Sequence, residues 1–147
     1  MKVLSLVDRD TGRAKSMVVD KVNAATVLPI LRENTAKEAR VLTDDAGVYV
    51  TLGREFEAHD FVRHSTKEYV RWGEPEIHTN TIEGYFSIFK RGMKGIYQHC
   101  GKRHLHRYLA EFDFRYNNRE RLGVNDMERM QTALKGISGK RLKYRVS

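Results

Sequence analysis

The stretch KVLSLVDRDTGRAKSMVVD, residues 2–20, decides the fold class. In KVLSLVD the odd-numbered side chains from Val3 to Val7 fall on one face of an extended chain, and the two leucines fall on the other. DRDTGR, residues 8–13, is typical of a turn, and AKSMVVD, residues 14–20, again favours a strand. Two short strands joined by a turn that contains glycine predict a β-hairpin.

Further elements follow the hairpin in alternation. Asn23 can cap a helix, and apolar residues from Ala24 to Leu31 follow helical spacing, with Pro29 as an objection to a straight helix. The other predicted elements are a strand at 39–43, a short helix or turn at 48–52, a strand within 56–64, a loop at 65–79, a helix from 80 to about 94, and a helix at 104–121. This order predicts an α/β protein with a mixed sheet and flanking helices.

Bulk properties indicate one globular domain. The chain has 147 residues, of which 40% are hydrophobic and 31% charged, and this composition excludes a disordered chain. No apolar run approaches the ~20 residues of a membrane span, and acidic residues follow the start too soon for a signal peptide. A single cysteine, Cys100, excludes an internal disulfide, and we expect a cytoplasmic protein without a membrane partner.

The net charge of +8 is concentrated in the second half of the chain. Residues 1–89 hold 12 basic and 14 acidic side chains, residues 90–121 hold nine and three, and residues 122–147 hold six and two. We therefore expect a domain at 1–121 and a basic C-terminal tail at 122–147. A basic surface beside a neutral scaffold favours nucleic acid as the partner, although a solvated surface that aids solubility has the same composition.

Asp44 is the first candidate for a functional residue. It stands at the C-terminal end of the strand ARVLT, where a sheet presents side chains to a site beyond its edge. Asp45 follows it, and in a strand its side chain would point to the opposite face. Asp-Asp-Ala-Gly, residues 44–47, is also good helix-capping sequence, so a plain turn remains an alternative.

A polar stripe marks the helix within HTNTIEGYFSIFKRGMKG, residues 78–95. Helical spacing places five polar residues on one side and four apolar residues on the other. The polar side holds Asn80, Glu83, Ser87, Lys90 and Lys94, and the apolar side holds Ile82, Phe86, Phe89 and Met93. Carboxylate and amide oxygens can bind Mg²⁺, and a lysine further along can meet a DNA phosphate. An ordinary solvated amphipathic helix is the alternative.

Two more clusters need an interpretation. Glu111, Arg115 and Arg119 share a helix face next to aromatic residues, which suits a surface for a nucleic-acid backbone but also suits helix-stabilising ion pairs. Cys100 lies near His99, His104 and His106, so a zinc module is an alternative of another class. The paired ligand spacing of structural zinc sites is absent there.

Three runs together resemble a known family. TDDAGVY (43–49), HTNTIEGYFSIFKRGMKGIY (78–97) and KRHLHRYLAEFDFRYNNRER (102–121) resemble bacterial insertion-sequence transposases of the DDE type, in the ISXO-like group. The resemblance covers roughly residues 1–121. It implies an RNase H-like catalytic domain that cuts and joins DNA by two-metal phosphoryl transfer with Mg²⁺ or Mn²⁺, its partners being transposon ends and target DNA.

The resemblance also implies roles for individual residues. Asp44 matches the second acidic ligand, Asn80 matches the third position with Lys90 downstream, and Glu83 is an open alternative to Asn80 as the third ligand. The catalytic and metal-binding candidates are thus Asp44, Asn80 and Glu83, with Lys90 positioning a phosphate. The candidates for DNA binding are Lys90, Arg91, Lys94, Lys102, Arg103, Arg107, Arg115 and Arg119.

One departure from the family pattern affects the expected activity. The family carries its first catalytic aspartate on an earlier strand, in a motif of the form D-E-T, and no such motif precedes Lys2. Asp8 and Asp10 belong to the hairpin turn instead. We therefore expect a catalytic domain that lacks its N-terminal part and has impaired activity. A non-catalytic DNA-binding remnant is the alternative. Loss of a sheet strand would expose the edge of its neighbour, which invites association, so a homo-oligomer is a further expectation.

Overall fold

The structure is a computed structural model that describes residues 2–44, 55–62, 70–71 and 77–140. Its strands are β1 (Lys2–Val7), β2 (Ala14–Val19), β3 (Arg40–Asp44), β4 (Ala58–Val62), β5 (Val70–Arg71) and β6 (Ile77–His78). Its α-helices are α1 (Ala24–Asn34), α2 (Asn80–Gly92), α3 (Leu105–Asn117) and α4 (Asp126–Ile137). A π-helical turn, Met93–Tyr97, extends α2, and short 3₁₀ turns cover Lys102–His104 and Glu120–Leu122. The α/β class is confirmed.

The predicted hairpin is confirmed. β1 and β2 pair antiparallel in a register that runs from Lys2 opposite Val19 to Val7 opposite Ala14. Asp8 shapes the turn, since its carboxylate accepts bonds from the Thr11 hydroxyl at 2.6 Å and from the Asp10 amide at 2.9 Å.

Helices cover both faces of this hairpin. Leu4 and Val19 pack with Val27 and Leu31 of α1 in one hydrophobic cluster. The opposite face, which includes Ala14, packs on α2 and α3 in a second cluster. The alternating pattern of KVLSLVD therefore corresponds to two packed faces of β1. Leu4 and Leu6 pack in the first cluster, and Val3 and Val7 pack in the second.

α1 begins where the sequence predicts. The side chain of Asn23 accepts a bond from the Thr26 amide at 2.9 Å, which satisfies one of the free amides of the first turn. Pro29 lies inside the helix. Val41 of β3 and Phe56 join the cluster under α1, so the helix bridges the hairpin and the β3–β4 pair.

The prediction of a single mixed sheet is wrong for the described residues. Their strands form three two-stranded sheets: β1–β2 antiparallel, β3–β4 parallel, and β5–β6 antiparallel. The loop predicted at 65–79 was wrong in part, because β5 and β6 lie within it. Periodicity cannot detect two-residue strands, whose pairing depends on partners elsewhere in the chain. The predicted element at 48–52 and the position of Asp45 lie outside the described residues.

No helix was predicted at the position of α4. Asn125 and Glu128 form a reciprocal capping box at its start, with bonds of 2.9 and 3.0 Å. Met127, Met130, Leu134 and Ile137 are exposed along one stripe of it. The division into a domain at 1–121 and a tail at 122–147 stays a prediction. None of the helices in the described ranges has the length and apolar character to cross a bilayer.

Candidate functional site

A large cavity lies between the hairpin and the β3–β4 pair. Its volume is about 1110 Å³, and four elements wall it. β1 and β3 form two sides, and residues of α1 and of the first turns of α2 form the others. Asp44 and Glu83, from segments far apart in sequence, both line it.

Asp44 is exposed at the end of β3, as the sequence predicts. Its strand is tied to β4 beside it. The Thr43 hydroxyl and the His59 ring nitrogen Nε2 are 2.9 Å apart, and Arg40 donates to Asp60 at 2.6 Å. Burial lowers the pKa of His59, which disfavours a charged ring on this strand pair.

Glu83 is held in the first turn of α2. The buried Thr79 donates its hydroxyl to the Glu83 carboxylate at 2.5 Å, and the Glu83 amide bonds the Thr79 carbonyl at 3.1 Å. A carboxylate there also meets the positive end of the helix dipole. Asn80 is exposed one turn earlier and is not among the residues that line the large cavity.

The polar stripe continues along α2. A second cavity of about 400 Å³ is lined by Glu83, Phe86, Ser87 and Lys90. Glu83 belongs to both cavities, so a continuous concave surface runs from the large cavity to Lys90. The five stripe residues are all exposed, as predicted, and the opposite side of α2 packs in the core.

The basic candidates divide into two groups. Lys90, Arg91, Lys94, Arg103 and Arg107 are exposed and make no ion pair with any described residue. The other three have intramolecular partners: Lys102 pairs with Asp20 at 3.6 Å, Arg115 with Glu111 at 3.0 Å, and Arg119 with backbone carbonyls.

Arg119 serves the fold. Its guanidinium donates to the Gly12 carbonyl at 2.9 Å and to the Tyr116 carbonyl at 2.5 Å, and it lies 3.9 Å from the centre of the Tyr116 ring. These contacts fasten the hairpin turn to the end of α3.

The hairpin turn also reaches α2. Arg9 donates to Nε2 of His78 at 2.9 Å, just before α2 begins. Nδ1 of His78 is buried and has no hydrogen-bond partner among the residues that the structure describes. Asp8 lines the large cavity, but its carboxylate is engaged in the turn, and the Thr11 hydroxyl holds its pKa below the usual value.

Oxygen donors of the Asp44, Asn80 and Glu83 type are those that Mg²⁺ prefers. Across residues 2–44, 55–62, 70–71 and 77–140, however, no three His, Cys, Asp or Glu side chains are grouped closely enough to hold a metal ion. This finding covers Cys100, His99, His104 and His106, the residues considered for a zinc module.

Sequence reasoning missed a polar network at the centre of the fold. Tyr85 is fully buried and donates to Asp113 at 2.6 Å, and its hydroxyl lies 2.5 Å from that of Ser16. Burial first, then the bond to Asp113, raises the pKa of Tyr85. Asp113 also accepts the Ser16 amide at 2.6 Å.

Asn117 completes the attachment of α3 to β2. Its side chain accepts the Ala14 amide at 2.6 Å and donates to the Ala14 carbonyl at 2.7 Å. The only local signal was the spacing of four between Asp113 and Asn117, two polar residues on a helix that otherwise buries its apolar side.

Comparisons with known proteins agree on one family. Residues 1–117 match the family described as ISXO2-like transposase domain. A protein of Haemophilus influenzae described as an uncharacterised transposase-like protein is 31% identical over 105 residues, which are 71% of this chain and 81% of that protein. No solved structure matches significantly.

Proposed function

Because the chain belongs to the ISXO2-like transposase family, we propose that it cleaves and joins DNA strands during the movement of an insertion sequence. The proposal includes an RNase H-like arrangement of the catalytic domain. A hairpin, a crossover helix and a parallel strand pair, in that order, support this arrangement.

The observation that carries the proposal is the shared cavity of Asp44 and Glu83. In the proposed site Asp44 and either Asn80 or Glu83 hold divalent ions, Mg²⁺ or Mn²⁺. When bound, such ions activate the attacking oxygen and stabilise the leaving oxygen. Thr79 orients Glu83, and Lys90, at the far end of the concave surface, neutralises a phosphate of the bound strand.

The proposed DNA surface extends from Lys90 over the exposed basic residues that follow it. Residues 90–121 carry a net charge of +6, and five of the exposed DNA-binding candidates in this range have no ion-pair partner among the described residues. Exposed cations of this kind bind phosphates and release counterions.

A strand-cleavage assay tests the chemistry. The substrate is a plasmid that carries the gene with its flanking DNA, incubated with Mg²⁺ or Mn²⁺. Because this chain by itself is expected to have impaired activity, the assay uses a chain extended ahead of β1 by a strand that bears an aspartate. In that extended chain we expect cleavage to fall at least 100-fold in Asp44→Asn, since removal of a charged contact to the reacting centre costs about that much. Comparison of Asn80→Ala with Glu83→Gln identifies the third ligand.

Asp20→Asn is the matched control for that assay. Asp20 is exposed and pairs only weakly with Lys102, away from the cavity, so this variant should keep full cleavage. Equal losses in Asp20→Asn and Asp44→Asn would contradict the proposed site. Circular dichroism of each variant shows whether it remains folded.

A second candidate function is DNA binding without catalysis. The lack of a three-ligand group in the described part of the chain favours it. It predicts DNA binding without cleavage even when a strand bearing an aspartate is joined ahead of β1. Cleavage by the extended chain that Asp44→Asn abolishes would exclude this candidate.

A further inference from the structure

α4 lies on the surface of the molecule. All of its residues belong to the described part of the chain, and each is exposed except Arg129, which is half-buried. A helix of 12 residues is marginal in water by itself, because most helical stability in proteins comes from packing of an apolar face. The capping box at Asn125 stabilises the first turn but does not replace such packing. An apolar side of α4 would therefore gain stability from a partner.

Four large apolar residues form such a side. Their exposed fractions are 59% for Met127, 49% for Met130, 58% for Leu134 and 61% for Ile137. Steps of three, four and three residues along the sequence keep them on one side of the helix. They therefore form one continuous apolar stripe, which is the kind of surface that marks an interaction site, and not a set of scattered exposed residues.

The attachment of α4 to the rest of the fold leaves this stripe uncovered by the described residues. Arg129 donates to the Asn118 carbonyl at 2.8 Å and pairs with Asp126 of its own helix. At 3.6 residues per turn, Arg129 lies about a third of a turn around the helix from the stripe. A polar contact on one side thus holds α4 in place, while its apolar side stays exposed.

The spacing of the stripe specifies a helix as its occupant. Steps of three, four and three residues are those of the a and d positions of a heptad, whose side chains interlock with the side chains of a facing helix. Gln131 and Ala133, which flank the middle of the stripe, are uncharged. A second helix can therefore approach the middle of the stripe without the cost of a buried charge.

The charges at the two ends of α4 make the helix complementary to itself. Its first turn holds Asp126 and Glu128, and Lys135 lies in its last turn. Residues 138–147, which follow the helix, hold four basic residues and no acidic residue. Two copies in opposite directions place each acidic start beside the basic end of the other. Two copies in the same direction would place like charges side by side, which is unfavourable.

We propose that this stripe is a dimerisation surface whose occupant is α4 of a second copy of the chain, in antiparallel orientation. Met130 then contacts the partner's Leu134, and Met127 contacts the partner's Ile137. A two-fold interface uses the same patch on both subunits, and a helix that is complementary to itself meets this condition. The proposal does not depend on the DNA chemistry.

Sedimentation equilibrium of the full chain at increasing protein concentration tests the association. An interface of one 12-residue helix per subunit is small. Interfaces below about 1,200 Å² are typical of weak and transient complexes, so we expect monomer and dimer in a concentration-dependent exchange. A chain that stays monomeric up to about 1 mM, the dissociation constant of a very weak complex, would overturn the proposal.

Leu134→Gln and its control Thr132→Gln test the stripe itself. Each dimer of the first variant lacks two leucines in its interface, so the dissociation constant should rise at least about 100-fold. Thr132 lies on the opposite side of α4, where its hydroxyl donates to the Glu128 carbonyl at 2.8 Å, and the control should dimerise as the original chain does. Leu134 is exposed, so its replacement spares the core, which circular dichroism verifies. Equal dimerisation of the two variants would contradict the proposal.

Disulfide trapping tests the antiparallel orientation. The single cysteine, Cys100, is first replaced by serine. Met127→Cys and Ile137→Cys are then made as two separate chains, one of which carries an affinity tag. When the chains are mixed and oxidised, antiparallel pairing should give mainly the mixed disulfide. An excess of disulfides between identical chains would indicate parallel helices, and the absence of cross-links would indicate another occupant of the stripe. Either result refutes the antiparallel dimer.

Discussion

Asp113 joins three elements through polar contacts at the centre of the fold. Its carboxylate accepts bonds from the Ser16 amide, the Ser16 hydroxyl and Tyr85, and so connects β2, α2 and α3. Because Tyr85 is fully buried, loss of the carboxylate would leave its hydroxyl without a partner in the interior.

We therefore predict that Asp113→Ala lowers the free energy of unfolding by about 3 kcal/mol, and that Tyr85→Phe lowers it by about 1 kcal/mol. Urea denaturation measures both. Glu111→Ala is the matched control, since it removes a carboxylate two residues away whose contacts, with Arg115 and Tyr97, lie at the surface. A surface ion pair of this kind is worth about 0.3–0.5 kcal/mol. Similar losses in Asp113→Ala and Glu111→Ala would contradict a structural role for the network.

At the scale of the elements, α3 acts as a neighbour for the outer edge of β2. The Asn117 side chain pairs with both backbone groups of Ala14, as an adjacent strand would. An edge with unpaired backbone groups invites association with other chains. The helix therefore protects this edge without adding a strand.

Asn117→Ala should open that edge. We expect faster amide exchange at Ala14 and increased light scattering at high protein concentration, because an unpaired edge recruits other strands. Asn118→Ala is the control, because the Asn118 side-chain amide donates to the Phe114 carbonyl of the same helix at 2.8 Å. If both variants scatter light equally, protection of the edge by Asn117 is the wrong explanation.

Elements with strong local signals could be predicted from the sequence. The alternation of side chains in KVLSLVD predicted the two faces of β1, and Asn23 predicted the start of α1. The helical spacing of polar residues predicted the exposed side of α2. α4 had a local signal too, because Asn125 and Glu128 have capping-box spacing. The contacts of Asp113 and Asn117 could not be predicted, since they join segments about a hundred residues apart by side-chain bonds to backbone.

The candidate site was partly predictable for the same reason. Strand and helix signals put Asp44 at a strand end and Glu83 on an exposed helix face, where the structure has them. Their separation and their roles stay predictions. Arg119 shows the limit of charge patterns, since its spacing matched a surface stripe while its guanidinium bonds the hairpin turn.

At the scale of the whole molecule, charge asymmetry predicts DNA binding that depends strongly on salt. With about five free cations meeting phosphates, the logarithm of affinity should fall with the logarithm of salt concentration with a slope of about −4.5. Fluorescence anisotropy with duplexes of unrelated sequence measures this slope. Lys90→Gln and Arg107→Gln should each reduce its magnitude by about 0.9.

Arg32→Gln is the charge-matched control for that measurement. Arg32 lies on α1 and pairs with Glu55 at 2.6 Å, away from residues 90–121. Its replacement should leave the slope unchanged. An affinity that barely varies between low and physiological salt would remove electrostatic attraction as the cause of binding.

The position of the hairpin between two hydrophobic clusters also determines how the molecule should unfold. Leu4 and Val19 belong to the cluster under α1, and Ala14 belongs to the cluster under α2 and α3. Loss of the hairpin therefore removes residues from both clusters at once. The two clusters should lose structure in a single cooperative transition, which different spectroscopic probes would report at the same temperature.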